Sequence, residues 1–217
     1  MPDPAELRTI EERVRAIEAR TGVQVVVAAL GRADVYHGLR WRAFAFGTTV
    51  AAALVALATV LRPGLVPEPA PFWTSVLLLA AGLLAALKTM LLPPVARLFL
   101  EPLRAEAEAR QRAAALFLER GLFATRGRTG VLLLACAFER LAVVHADAGF
   151  RGRVAEEDWR SVELAIAASL RAGRLPEGLL AGLAALERLL VASGFAPAPG
   201  AATNELPDRP LTEADAR

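Results

Sequence analysis

Phe44–Leu61 reads FAFGTTVAAALVALATVL, and Phe72–Leu92 reads FWTSVLLLAAGLLAALKTMLL. Each stretch approaches the ~20 apolar residues that an α-helix needs to cross a hydrocarbon core of ~30 Å. The first contains no charged residue, and the second contains only Lys88, near its end, where a long side chain reaches the headgroups. The alternative, two helices buried in a soluble core, needs more surrounding chain than 217 residues supply. We therefore expect a transmembrane helical hairpin over residues 43–92.

Positively charged residues flank this hairpin on the sides of both termini. They are Arg32, Arg40, Arg42, Lys88, Arg97, Arg104, Arg110 and Arg112. The Pro-rich connector between the two stretches carries one cation, Arg62, and one anion, Glu68. The positive-inside rule then places both termini in the cytoplasm and the connector outside. The sequence predicts a multi-pass protein of the inner (plasma) membrane, with the lipid bilayer as its first partner.

Composition excludes some functions and leaves others open. The formal net charge is only +2, and no basic patch alternates with aromatic residues, so we expect no nucleic-acid partner. Small residues spaced by four, such as Ala52 with Ala56 and Ala81 with Ala85, allow close helix approach and a homo-oligomer. An Ala-rich chain also produces this spacing by chance, so both explanations stay open.

Three short apolar runs outside the hairpin are typical of strands. They are Val23–Leu30 (VQVVVAAL), Val131–Phe138 (VLLLACAF) and Leu141–His145 (LAVVH). Only Glu139 and Arg140 separate the last two, which predicts a β-hairpin with a two-residue turn. The first strand is apolar on both faces, and we expect it to join that hairpin in one sheet, since no other segment can pair with it.

Amphipathic helical patterns surround these strands and complete a small α/β unit. They run from Glu6 to Thr21, from about Glu101 to Leu122, from Glu156 to Ala172, and from Pro176 to Gly194. The predicted organisation is a cytoplasmic α/β domain in two parts, residues 1–42 and 93–196, interrupted by the hairpin at 43–92. Residues 197–217 lack a core-forming pattern and are predicted to be a disordered tail.

The segments on both sides of the hairpin resemble the TPM domain family. The resemblance rests on Ile10-Glu11 with Thr21-Gly22-Val23 and Val25–Val27, on Gly127–Ala135 (GRTGVLLLA), on Glu139–Gly149 (ERLAVVHADAG), on Trp159, and on Gly173–Leu179 (GRLPEGL). The family includes thylakoid-lumen proteins, auxiliary proteins of photosystem repair and many bacterial membrane proteins. The resemblance implies an α/β/α sandwich into which the transmembrane hairpin is inserted.

The same resemblance implies a possible reaction, because an acid phosphatase activity is ascribed to some relatives. Many relatives end the corresponding strand in a Gly-Tyr-Gly-Leu-Glu type of segment. This chain instead has His145-Ala-Asp147-Ala-Gly149-Phe, so the glutamate is absent and Asp147 is the nearest polar equivalent.

Three aspartates are candidates for a metal site. Asp147 follows a predicted strand, Asp34 follows the first strand, and Asp158 comes near Asp147 if the next helix folds back. Strand ends are common ligand positions in α/β sheets, and carboxylates hold hard cations such as calcium or magnesium. The structural alternative is that Asp147 forms a turn and Asp158 stabilises the first turn of a helix.

Four arginines are candidates for an anion or lipid contact. Arg126 and Arg128 flank Gly127, and Arg151 and Arg153 follow the next turn, so together they form a cationic rim for an anionic ligand or lipid headgroups. The alternative is an ordinary solvated surface in an Arg-rich protein.

No reactive constellation stands out elsewhere in the sequence. The histidines His37 and His145 are far apart, and Cys136 lies in an apolar run, where we expect a buried, inert thiol. The leading hypothesis is therefore a non-enzymatic interaction or accessory protein, held at the bilayer and bound to another membrane protein. The alternative is a metal-assisted phosphatase acting on phosphomonoesters.

Overall fold

The computed structural model describes residues 3–34, 36, 38–62, 70–197 and 209–212. The chain divides into two compact units, one formed by residues 1–34 and 103–217 and the other by residues 35–102. The elements in chain order are α1 (Pro4–Thr21), β1 (Gln24–Leu30), α2 (Gly38–Leu61), α3 (Ala70–Leu91), α4 (Pro93–Leu98), α5 (Pro102–Glu119), β2 (Gly130–Cys136), β3 (Leu141–Ala146), α6 (Glu156–Arg171) and α7 (Leu175–Ala192).

Helix α1 begins and ends at residues suited to those positions. The Asp3 carboxylate accepts hydrogen bonds from the amides of Ala5 and Glu6, and the Glu6 carboxylate accepts one from the Asp3 amide. This reciprocal pair satisfies donors that the first turn leaves free. Gly22 ends the helix with φ +69°, a left-handed conformation that glycine adopts without steric penalty.

The three strands form one sheet in the order β1-β2-β3. β1 pairs with β2 in parallel, with Val25 opposite Val131, and β2 pairs with β3 antiparallel, with Leu134 opposite Val143. The prediction that the first strand joins the later hairpin is confirmed, and so is the α/β class.

Helices cover both faces of this sheet. On one face the side chains of alternating strand residues, such as Val27 and Leu133, pack against α1, α6 and α7. On the other face Val26, Leu132 and their neighbours pack against α5. Every residue of β1 and β2 is buried, which is why both strands are apolar without alternation.

The connection between β2 and β3 is longer than predicted. β2 ends at Cys136 and β3 begins at Leu141, so residues 137–140 form the turn instead of Glu139 and Arg140 alone. The amide of Ala137 donates to the carbonyl of Leu30, and the amide of Phe138 to that of Gly31. These two amides therefore bond to the last residue of β1 and to the residue after it, so they are not available for pairing with β3.

The second unit contains the two long apolar helices. Both Gly38–Leu61 and Pro71–Leu91 are long and apolar enough to cross a membrane, with mean hydropathies of 2.1 and 1.9. The apolar window is 0% buried in the first and 11% buried in the second, so neither is covered by the rest of the described chain. The helices pack closely where Gly47 of α2 lies against Ala81 and Ala85 of α3. The connector at 63–69, and with it the predicted turn of the hairpin, lies outside the described residues.

One part of the predicted disordered tail has a defined place. Leu211 lies beside Ala28 of β1 as an isolated parallel bridge, so this residue adds to the sheet at its β1 edge. The sequence pattern does not reveal this contact, because it depends on the hydrogen-bonding groups that the backbone of the edge strand supplies. The rest of that prediction, at 198–208 and 213–217, lies outside the described residues.

Candidate functional site

Asp147 lies at the point where β3 ends, and its carboxylate is engaged by its neighbours. Oδ1 accepts a hydrogen bond from the amide of Ala148 at 2.6 Å and one from Nη2 of Arg128 at 3.1 Å. Oδ2 lies 2.9 Å from Nε of Arg128 in an ion pair, although the angle there is not that of a hydrogen bond. The Asp147 side chain is only 5% exposed, whereas that of Arg128 is 55% exposed. This geometry fits a carboxylate that fixes a turn.

The turn that carries Arg128 is pressed against the turn that follows Asp147. The amide of Gly149 donates to the carbonyl of Arg128 at 2.9 Å, and a Cβ at position 149 would lie 2.6 Å from the carbonyl oxygens of Gly127 and Arg128. Arg128 itself has φ +53°, which is unusual for a residue with a side chain. The close approach of the two turns therefore requires glycine at 149 and aligns Arg128 with Asp147.

Asp34 does not reach this site. Since β1 and β2 are parallel, the residues after β1 lie beside the turn at 137–140, where the amide of Ala33 donates to Oε1 of Glu139 at 2.9 Å. Asp147 follows β3, which runs back to the start of β2. The two aspartates thus lie at opposite ends of the sheet, about 20 Å apart at ~3.3 Å per strand residue. The expected convergence of the carboxylates is not found.

Asp158 has its own local partner. It lies in the first turn of α6, where its Oδ2 accepts from the amide of Ala155 at 3.3 Å and so caps the helix. Across the parts of the chain that the structure describes, no group of three or more His, Cys, Asp or Glu side chains is arranged to hold a metal ion. The three aspartates therefore offer separate carboxylates, and binding of a cation by any one of them stays a prediction.

The four predicted arginines divide into different environments. Arg128 is paired with Asp147, as above, and Arg126 and Arg151 are exposed on the two adjoining turns. Arg153 points elsewhere: its Nη2 donates to the carbonyls of Ser193 and Gly194, and its guanidinium lies 3.6 Å from the ring centroid of Phe195. Arg153 therefore supplies hydrogen-bond donors to the carbonyl groups at the end of α7, where a cation also interacts favourably with the helix dipole. Of the predicted cationic rim, only Arg126, Arg128 and Arg151 lie together on the two turns.

Comparison with known proteins identifies the fold. The chain is similar to the BA42 protein of the psychrophilic bacterium Bizionia argentinensis. The NMR structure of BA42 superposes with a TM-score of 0.57 over 97% of this chain and 94% of that one, at 14% sequence identity. At that identity the likeness to BA42 is one of fold. No family model matches the sequence, and no curated protein matches it.

Three glutamates that the sequence analysis did not single out hold elements together. Glu18 and Glu187 are buried at 4% and 6% exposure. Glu187 of α7 accepts ion pairs from Arg13 and Arg20 of α1, and Oε1 of Glu18 accepts from the amide of Val25. Both glutamates fall within apolar stripes of their helices; Glu18, for example, comes four residues after Val14. A charged residue within an apolar stripe is the sequence signal that could have identified them as buried.

The third glutamate protects the other edge of the sheet. Oε1 of Glu163, on α6, accepts from the amide of Val144 on β3 at 3.0 Å. Arg110 of α5 lies 3.9 Å from Oε2 of Glu163 and 3.0 Å from Glu106. The hydrogen bond that Arg110 donates to Glu106 raises the pKa of Arg110, with a smaller contribution from the Glu163 charge, against the effect of burial. A carboxylate thus takes the place of a further strand beside β3.

The remaining titratable candidates have structural surroundings. The ring of His145 packs edge-on against that of Phe117 with centroids 4.7 Å apart, and burial lowers the pKa of His145 although the Asp147 charge opposes that shift. Cys136 is fully buried, and burial raises the pKa of its thiol, as predicted for an inert cysteine. His37 lies outside the described residues.

Proposed function

We propose that this protein is a membrane-anchored, TPM-like domain that acts as a non-enzymatic interaction or accessory module. The TPM-like α/β/α sandwich is supported by helices on both faces of the sheet, by the motifs quoted from the sequence and by the fold shared with BA42. The interaction role is supported by one observation above all. The side chains best suited to chemistry, Asp147, Asp158 and Arg153, each hold a neighbouring turn or helix end.

Anchoring in the inner membrane is supported by the second unit taken by itself. Its helices α2 and α3 expose nearly all of their apolar windows. Exposure of apolar surface to water costs a free energy of ~25 cal/mol per Å², which burial in lipid avoids. An apolar groove of about 530 Å³ runs between them, and lipid acyl chains are suited to fill it. The groove is lined by Gly47, Val50, Ala51, Leu54, Val55, Ala58, Trp73, Thr74, Leu77 and Ala81.

In this proposal both termini are cytoplasmic, because the arginines gather on the two outer flanks of the hairpin. Variants that add one cysteine to a Cys136→Ala background test the orientation with a maleimide that does not cross membranes. We expect Arg8→Cys and Arg188→Cys to be labelled only after spheroplasts are lysed, and the matched variant Arg62→Cys to be labelled in intact ones. Labelling of position 8 and position 188 from opposite sides would overturn the arrangement.

The interaction role is tested by crosslinking in native membranes followed by affinity capture of the full chain. The expected result is a stable membrane partner, together with no turnover of a phosphomonoester by the purified protein with calcium or magnesium added. Turnover that is lost in Asp147→Asn, while circular dichroism shows an unchanged fold, would instead favour the metal-assisted phosphatase.

A further inference from the structure

The outer edge of β1 is occupied by a piece of the same chain. The amide of Leu211 donates to the carbonyl of Val27 at 2.8 Å, and the amide of Ala29 donates to the carbonyl of Leu211 at 2.8 Å. This is the hydrogen-bonding pattern of a parallel strand that is aligned with Ala28. The chain therefore shows directly that this edge accepts an extended backbone.

The side chains beside this bridge define what the edge accepts. Leu211 packs, half-buried, against the core cluster beneath β1, and Pro210 before it is buried. Proline lacks an amide hydrogen and is confined to edge positions in sheets. The occupant is thus an aliphatic residue that directly follows a proline, in extended conformation.

The contact at this edge is short. The adjacent edge position, the amide of Val25, is covered by the Glu18 carboxylate at 2.8 Å and not by a strand. In the described range 209–212, the bridge to β1 consists of Leu211 with a single residue of the strand. Segments with so few packed contacts open at low free energy compared with the core, so they exchange readily with a competing ligand.

We propose that the β1 edge is a strand-docking site for an extended segment of a partner protein that presents a proline followed by an aliphatic residue. Residues 209–212 are a displaceable cover that occupies this site until the partner binds. Main-chain hydrogen bonds supply the affinity, and packing of the aliphatic side chain on the core cluster supplies the specificity, as in other cases of β-augmentation. The identity of the ligand as a partner protein rests on the proposed interaction function, whereas the docking of a strand does not.

The test uses the full chain in detergent and a fluorescent peptide of residues 205–217 as the probe. In the variant Leu211→Asp the tethered cover is weakened, because the aspartate cannot fill the aliphatic site. When the cover occupies the site most of the time, only a fraction of the molecules has a free site. The apparent affinity for an outside ligand is reduced in proportion to that fraction. We therefore expect the probe to bind Leu211→Asp at least about tenfold more tightly than the unchanged protein. A probe that carries the same Leu211→Asp change is the matched control and should not bind.

Hydrogen exchange at the Ala29 amide is the second measurement. Its protection should fall in Leu211→Asp and return when the probe is added, while amides of β2 stay protected and so report an intact fold. Unchanged protection of Ala29 in the variant, or equal binding of the two peptides, would overturn the proposal. If the peptide does not bind, strand docking is refuted, but the capture of a membrane partner by crosslinking can still succeed. The two experiments therefore distinguish failure of the docking site from failure of the proposed function.

Discussion

Replacing Gly182 by alanine tests how α7 packs on α6. A Cβ at position 182 would lie 2.2 Å from Cγ1 and 2.6 Å from Cδ1 of Ile166, which is fully buried. Isoleucine in a helix has one strongly preferred χ1, so Cγ1 cannot turn aside and the helices must separate. Overpacking of this kind costs ~1–3 kcal/mol, and the higher helix propensity of alanine returns up to ~1 kcal/mol. We expect a net loss of about 1–2 kcal/mol in the free energy of unfolding.

A double-mutant cycle separates this clash from other effects of the substitution. Ile166→Ala removes both clashing atoms and by itself costs ~2–5 kcal/mol as a buried large-to-small change. In the double variant the new methyl group enters the space that Ile166 leaves. The loss should therefore be smaller than the sum of the single losses, by about 1–3 kcal/mol.

Urea unfolding of the full chain in detergent, followed by circular dichroism, measures each variant. Gly38→Ala is the matched control, since it also lies in a helix and its Cβ would meet nothing within 4 Å. If Gly182→Ala were as well tolerated as that control, or if the cycle were additive within ~0.5 kcal/mol, the packing of α6 on α7 described above would be refuted.

Three further outcomes are expected. Gly149→Ala places a Cβ 2.6 Å from backbone carbonyls and should destabilise by ~2 kcal/mol or more in the same unfolding assay, whereas Gly127→Ala meets only a side chain, at 3.1 Å. Burial lowers the pKa of His145, so the unfolded chain binds the proton more readily and stability should fall as the pH drops below ~6.5; His145→Leu should flatten that dependence. Burial raises the pKa of the Cys136 thiol, so a maleimide should label it rapidly only in urea, which mass spectrometry measures.

The sequence identifies the strands and the apolar helices because each depends on local composition. VQVVVAAL has no polar face, so it must be covered on both sides, and the structure covers it with α5 on one face and with α1, α6 and α7 on the other. The two apolar stretches are visible for the same reason, since length and the absence of charge are properties of the segment alone.

The candidate site was less predictable because it depends on strand direction. A hairpin always returns β3 to the start of β2, but the sequence does not state whether β1 runs with β2 or against it. An antiparallel β1 would bring Asp34 beside Asp147, whereas the parallel pairing that is observed separates them by the length of the sheet. The bridge of Leu211 is similarly invisible, because a single residue carries no periodicity.

The parallel pairing also accounts for the position of the two apolar helices in the chain. Parallel neighbours cannot be joined by a tight turn and need a long crossover connection. Here the crossover runs from Gly31 to Thr129, and it contains α2 and α3 as well as α5, which covers one face of the sheet. The apolar helices therefore lie where the topology already requires a long connection, and their insertion leaves the register between Val25 and Val131 intact. A long insertion between β2 and β3 would instead separate strands that a four-residue turn joins.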